Sequence, residues 1–285
     1  MRATSLSINT VGPCNAKCPF CIAQATWKSG VTNNRRIEHA LAKALAYATY
    51  HRIDTVLITG SGEPTLQQDL ILRIASEARR AGIPIVELQT NGLRLAREPA
   101  LVGALAGHGV TTLALSVAAS EPELSARLME VDLDYLTLLQ DLTKQGFLLR
   151  VSLNLNRFDR ALVDQGLADY AKRLVAHGVR QLTLRRLGVP QHPLASERAQ
   201  ACVRWVEDNA MAQEDVAALE AEVLNHGTPL RQLSYGATVY DFCGLSVVVT
   251  TCQSENPNPN EIRSIILQPD GHLYHSWEHP GSILL

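Results

Sequence analysis

Cys14-Asn15-Ala16-Lys17-Cys18-Pro19-Phe20-Cys21 places three cysteines within eight residues, spaced C-x3-C-x2-C. Three thiolates this close can converge on one metal centre, and iron–sulfur clusters are held by cysteine thiolates. A cubane of four irons needs one ligand per iron. This run supplies three, which leaves one iron open to another ligand. The competing reading is a structural zinc site with a fourth ligand elsewhere. Zinc sites usually pair two C-x2-C units, and the chain has no second one.

Working outward, Thr4 to Val11 reads as a strand, Gly12-Pro13 breaks it, and the cysteines fall in the loop that follows. Loops at strand C-termini are where α/β proteins carry chemistry. Glu38 to Tyr50 has apolar positions at helical spacing (Leu41, Ala44, Leu45, Ala48). Thr55 to Thr59 is a buried strand that ends in Gly60-Ser61-Gly62-Glu63-Pro64. Thr65, with Gln68 three residues on, suggests a capping box for the next helix. That helix runs to about Ala81, with Gly82 as a left-handed stop. The phrase helix, glycine, apolar strand then recurs, with strands at 83–88, 110–117, 147–155 and 179–184. A period of roughly 30 residues is that of βαβ units. Six such units predict a parallel sheet curled into a partial (β/α)6 barrel.

After Leu187 the pattern changes. Ser196 to Asn209 and Gln213 to Asn225 read as helices, followed by short strands and an Asn/Pro-rich loop over Gln253 to Asn260. The expected organisation is a barrel over 1–190 and an extension over 191–285, two helices then strands, packing beside it.

Composition narrows the class. A hydrophobic content of 46% with 19% charged residues is that of an ordinary globular chain. A net charge of −2 offers no basic field for nucleic acid or a membrane surface. The N-terminus leads straight into a strand without a signal-peptide pattern, and no apolar stretch is long enough to span a bilayer. Six cysteines, half of them in one cluster, suit metal binding in a reducing cytoplasm better than a disulfide framework.

The cysteine triplet, together with Gly60-Ser61-Gly62-Glu63-Pro64 directly after the second strand, resembles the signatures of the radical S-adenosylmethionine (SAM) superfamily. The second motif is similar to that family's GGEP loop, with Ser61 in place of a glycine. The resemblance covers about residues 4–187. It implies a [4Fe–4S] cluster on Cys14, Cys18 and Cys21, with SAM chelating the open iron. It further implies one-electron cleavage of SAM to a 5′-deoxyadenosyl radical, with hydrogen abstraction from a substrate and an outside reductant such as flavodoxin or ferredoxin. On the family's pattern, SAM would be met by Phe20 and Leu187 near adenine, and by Gly60, Ser61, Gly62 and Glu63 at its amino group. Asn91 (in Thr90-Asn91-Gly92), Ser116 and Asn154 stand at further strand ends where the family places SAM contacts.

Substrate candidates are Asn156, Arg185, Arg186, Tyr274 and Trp277. Adjacent strand residues point to opposite faces, so only one of the two arginines is expected inside. Arg150 is read as a partner for a carboxylate. The His272 to His279 run is rich in rings and is compatible with stacking on a sugar or base, or with plain edge-strand packing. Cys202 reads as a core thiol; Cys243 and Cys252 leave open a hydrogen-donor role. The favoured substrate is a small molecule, a nucleoside, nucleotide or sugar. The alternatives are a glycyl-radical-enzyme activase, a peptide-modifying enzyme and a non-catalytic metal-binding scaffold.

Overall fold

A computed structural model describes residues 2–26, 29–233, 236–251 and 261–285. The elements run in the order β1 (Arg2–Val11), α1 (Arg35–Tyr50), β2 (Thr55–Ser61), α2 (Gln68–Arg80), β3 (Ile85–Thr90), α3 (Leu93–Arg97), α4 (Pro99–His108) and β4 (Thr112–Val117). They continue with α5 (Pro122–Met129), α6 (Tyr135–Leu142), β5 (Leu148–Leu155), α7 (Arg160–Gln165), α8 (Leu167–Ala176) and β6 (Gln181–Arg186). The last third holds α9 (Glu197–Asn209), α10 (Gln213–His226), β7 (Thr228–Gln232), β8 (Thr238–Phe242), β9 (Leu245–Thr251), β10 (Glu261–Leu267) and β11 (Leu273–Tyr274).

All eleven strands form one sheet, in the order β11-β10-β1-β2-β3-β4-β5-β6-β9-β8-β7. The six βα strands lie in sequence order and parallel, as their period predicts. The strands of the extension are part of this sheet. Its strand β10 pairs in parallel with β1, and β9 pairs in parallel with β6. One C-terminal strand thus lengthens the sheet at each end, and antiparallel β11, β8 and β7 finish it. Each of these two junctions carries six register pairs, as does β1 with β2. Strand edges are costly to leave open, which explains why the chain returns to both. Among the described residues nothing pairs β11 with β7, so the barrel stays open.

The period-2 pattern of each strand decides its two faces. Leu6 and Ile8 of β1, Val56 and Ile58 of β2 and Val151 and Leu153 of β5 are fully buried against the helices. Their helix partners include Ile37, Leu41, Ile71, Ile74 and Leu105. The alternating residues turn inward, and many of them are small and polar: Ser5, Ser7, Thr55, Thr59, Thr112, Thr183 and Ser246 line the lumen, together with larger residues such as Leu57, Leu148 and Val248. Closed barrels fill this space with bulky branched side chains. Here the lumen is a cavity of about 1910 Å³ that runs from Asp54 and Pro84 near the strand starts to Ser61, Arg185 and Thr250 at the strand ends.

No helix among the described residues is long and apolar enough to cross a membrane. The Asn/Pro-rich loop expected at 253–260, Cys252, Trp27 and Lys28 lie outside the described residues.

Candidate active site

The cysteine loop leaves the C-terminal end of β1, and its exit is clamped. The Val11 N–H donates to Asn34 Oδ1 (2.8 Å), while Asn34 Nδ2 and Gln67 Nε2 both donate to the Val11 carbonyl (2.9 and 2.7 Å). Asn34 and Gln67 also bond each other. Cys14 is exposed, Cys18 and Cys21 are half-buried, and all three are free thiols. Cys21 precedes a 3-10 turn at Ile22–Gln24, whose Gln24 N–H returns to the Cys21 carbonyl (2.8 Å). The Lys17 N–H reaches the Met129 carbonyl at the end of α5 (2.9 Å).

The Gly60–Pro64 loop is locked to the residues just before Cys14. The Glu63 N–H donates to the Pro13 carbonyl (2.9 Å). A Cβ on Gly62 would stand 2.3 Å from the Gly12 carbonyl oxygen and 2.7 Å from that of Pro13. No side chain fits there, so glycine is required by this close approach of two backbones. A Cβ on Gly60 would likewise meet Thr10 Oγ1 at 2.6 Å. Ser61, next to them, lines the lumen.

The Glu63 side chain turns inward and is 4% exposed. Its Oε1 accepts from the Thr65 N–H (3.0 Å), Thr65 Oγ1 (2.7 Å) and Thr90 Oγ1 (2.7 Å), and its Oε2 from the Asn91 N–H (2.9 Å). The carboxylate therefore ties the end of β2 to the end of β3. Thr65 is a partner of Glu63 rather than a helix cap. The capping box expected at Thr65 and Gln68 does not form, because α2 begins only at Gln68 and that side chain is bonded by Arg94. Asn91 then donates to Asn15 Oδ1 (2.7 Å), inside the cysteine loop. One chain of bonds thus runs from β2 through β3 back to the thiols.

The C-terminal segment closes this region from the other side. Phe20 is buried against Trp205 of α9, with ring centroids 5.3 Å apart. Ala118 and Val206 share its apolar cluster, and Leu187 and Cys18 pack against the same cluster, so Phe20 and Leu187 border one patch. The buried Cys202 thiol donates to the Cys21 carbonyl (3.5 Å). Burial raises its pKa to about 11, so it stays a neutral donor near neutral pH. Cys243 stands exposed in the tight β8–β9 turn, at the start of β9, the end of the sheet opposite the cysteine loop. That position removes it as a radical-quenching thiol.

Other expected residues divide sharply. Asn156 is fully buried and spent locally: its Nδ2 donates to the Ala118 and Asn154 carbonyls (2.5 and 3.0 Å) and its Oδ1 accepts from the Phe158 N–H (3.1 Å). Tyr274 is buried with its hydroxyl on Asp270 (2.6 Å), and burial together with this bond raises its pKa. Arg186 pairs with Glu220 of α10 on the helix side. Arg185 and Trp277 line the lumen. Arg150 meets buried Glu87 (2.6 Å) and Gln181 (2.8 and 2.7 Å) on the lumen wall. Ser116 and Asn154 lie on the inward-facing register of β4 and β5. Sequence reasoning missed Asn15, Asn34, Thr65, Gln67, Thr90 and Trp205, which hold the motifs rather than form them. Their only signal was a position one turn or loop away from a motif.

The thiol loop fits an iron–sulfur cubane. Burial, followed by the charge of neighbouring groups, raises the Cys14 pKa, and for Cys18 burial and the nearby Cys21 and Cys14 push it to about 12. The positive charge of a bound cluster core would offset this and favour the thiolates. Among the described residues no three His, Cys, Asp or Glu side chains gather tightly enough for a single metal ion. A cubane spreads its ligands over separate irons, so this spacing suits it better than a lone zinc.

An open parallel barrel with a thiol loop at the strand C-termini defines a class of metal-dependent enzyme rather than a carrier. A family model described as the Radical SAM superfamily matches residues 8–148, the first four βα units. The chain belongs to the radical SAM superfamily, enzymes that bind a [4Fe–4S] cluster and SAM. It is 31% identical over 103 residues to a GTP 3′,8-cyclase of Cronobacter sakazakii, a match spanning 33% of this chain and 29% of the cyclase. The fold is like that of Streptococcus suis SuiB bound to S-adenosylmethionine, at TM-score 0.61 and 16% identity, covering 96% of this chain and 60% of SuiB. SuiB bound to its precursor peptide SuiA gives 0.59 at 15% identity, with the same coverage. The chain therefore spans less than two thirds of these relatives.

Proposed function

We propose that this protein cleaves SAM reductively and abstracts hydrogen from a polar small molecule held in the barrel lumen. The observation that carries the reading is the locking of two motifs distant in sequence: the thiol loop and the Gly60–Pro64 loop share the Pro13–Glu63 bond and the Gly62 contact beside a polar cavity. Cys14, Cys18 and Cys21 hold the cluster. The cluster held by these residues would supply the electron for reductive cleavage of SAM, and with it the oxidising power for hydrogen abstraction from the substrate.

The chain's own residues bind, orient and exclude water. The backbone carbonyls of Gly60, Ser61 and Gly62 receive the amino group of SAM, because the Glu63 carboxylate is already engaged by four donors. Glu63 is then a positioning residue that sets the shape of this loop. Phe20 and Leu187 offer one apolar patch for adenine, and Ser116, Asn154 and the Asn91 loop are the nearest polar groups for the rest of SAM. Substrate is met by Arg185 and Trp277 on the lumen wall.

A lumen that mixes hydroxyls, amides and guanidinium groups with apolar side chains such as Leu57, Val248 and Trp277 suits an amphipathic polar molecule such as a nucleoside, nucleotide or sugar. A flavodoxin or ferredoxin supplies the electron, and the free thiols among the described residues support a reducing cytoplasm as the setting. The test is anaerobic reconstitution with SAM and dithionite, reading 5′-deoxyadenosine against Cys18→Ala. Formation that depends on Cys18 supports the reading. A loaded cluster that neither binds nor cleaves SAM refutes it.

A further inference from the structure

Among the described residues the lumen wall holds a half-buried guanidinium, Arg185, with no counter-charge; Arg52 and Arg231, also on the wall, are exposed to water. Arg150 is committed to Glu87 and Gln181, and Arg186 to Glu220 outside the barrel. Arg185 lines the cavity, and among the described residues it has neither an ion-pair nor a hydrogen-bond partner. Its register neighbours are Asn154 and Thr250, both uncharged. Of the carboxylates on the cavity wall, Glu87 is held by Arg150, Asp54 lies at the strand starts, and Glu278 accepts the Gln191 N–H (2.9 Å). A cation held half-buried with no counter-charge is unfavourable by itself. Its planar fork matches a carboxylate or a phosphate through two parallel bonds.

Two features set this group apart from the end of the SAM subsite formed by the thiol loop and the Gly60–Gly62 carbonyls. Arg185 sits on β6, whereas those two loops follow β1 and β2. Three strands lie between β2 and β6 in the sheet, so the arginine stands across the lumen from that end, beside Asn154 at the far end of the SAM subsite. The cavity also has room for a second molecule: about 1910 Å³, against roughly 300–1,000 Å³ for an ordinary small-ligand pocket.

We infer that Arg185 is the anchor of a second subsite in the lumen, and that the substrate carries an anionic group, a carboxylate or a phosphate, which it grips. This rests on the proposed SAM-dependent reading of the same cavity. The anion docks on β6, and the hydrogen-bearing part of the substrate extends across the lumen toward the thiol loop.

The test uses reconstituted enzyme loaded with SAM, titrated calorimetrically with inorganic pyrophosphate and, separately, with tricarballylate. The variants are Arg185→Gln and Arg185→Lys. At least one probe is expected to bind wild type at millimolar concentration or below, and its identity distinguishes phosphate from carboxylate. Arg185→Gln is expected to weaken it about tenfold or more, the effect of losing a charge-assisted pair. Arg185→Lys, which keeps the charge, is expected to retain part of the binding even if the glutamine variant folds poorly. SAM affinity is expected to be unchanged in both. Absence of binding by either probe to wild type overturns the inference. So does weakened SAM binding in Arg185→Gln with probe binding intact, which would assign the arginine to the SAM carboxylate. Failure of SAM cleavage in wild type overturns the enzymatic reading instead, and leaves the probe titration as a separate result.

Discussion

Replacing Glu63 by glutamine separates a positioning role from direct contact with SAM. The carboxylate accepts four bonds, three on Oε1 and one on Oε2, and the side chain is 4% exposed. Glutamine keeps one acceptor oxygen. If that oxygen faces Thr65 and Thr90, its three bonds drop from charge-assisted to neutral, about half their strength. The amide nitrogen then faces the Asn91 N–H, donor against donor, and that buried donor loses its partner at about 1–3 kcal/mol. Together the change is expected to destabilise the cluster-free protein by roughly 2–4 kcal/mol, a large share of a total on the order of 5–15. At about 2–4 °C per kcal/mol for a chain of this size, the melting temperature drops by on the order of 5–10 °C. The assay is thermal unfolding by circular dichroism of metal-free protein, so that cofactor binding does not contribute. A Glu63→Gln protein that melts with wild type, within about 1 °C, while losing SAM affinity would refute the positioning argument and return the carboxylate to the SAM amino group.

The remaining expectations probe other joints of the site. Gly62→Ala puts a methyl 2.3 Å from the Gly12 carbonyl oxygen, so SAM cleavage is expected to collapse and stability to fall by about 1–3 kcal/mol; wild-type turnover would contradict the locked-loop account. Arg186→Gln removes an ion pair exposed on the helix side, and is expected to cost less than about 1 kcal/mol and to leave 5′-deoxyadenosine formation at wild-type level, in contrast to its neighbour. With burial and adjacent sulfurs holding the Cys18 thiol up near 12, metal-free protein is expected to react with iodoacetamide at Cys18 far more slowly than at exposed Cys243 at pH 8; equal labelling by mass spectrometry would count against it. The sign for cofactor loading follows, since binding must expel thiol protons. Iron–sulfur incorporation is expected to strengthen as pH rises from 7 to 9, and a flat profile would contradict it.

The sequence was most legible where chemistry and local geometry coincide. Three cysteines in eight residues state their ligand type without any fold, and the repeated helix–glycine–strand phrase states a parallel sheet, because only crossover units produce that period. Strand faces were equally readable: alternation sent Arg185 into the lumen and Arg186 to Glu220. The Thr65–Gln68 pair misled because a capping box is a local signal, whereas Thr65 is claimed by a carboxylate two residues back that also binds across to β3. The partners of Asn156 and Tyr274 were equally beyond a local signal. Each is a polar residue near a strand end, and its partners, the Ala118 carbonyl and Asp270, are known only once the chain is folded.

By itself the sequence determined the cofactor chemistry, the six parallel strands and the loops that carry the two motifs, since each depends on residue type and spacing over short distances. Tertiary structure alone decided that strands from the last third complete the sheet at both ends, and that α9 closes over Phe20 and the Cys21 carbonyl. It also decided that Arg185 stands half-buried on the lumen wall without a counter-charge among the described residues. These are pairings between residues far apart in the chain. Which donor meets which acceptor there depends on sheet order and register, and no local pattern encodes it.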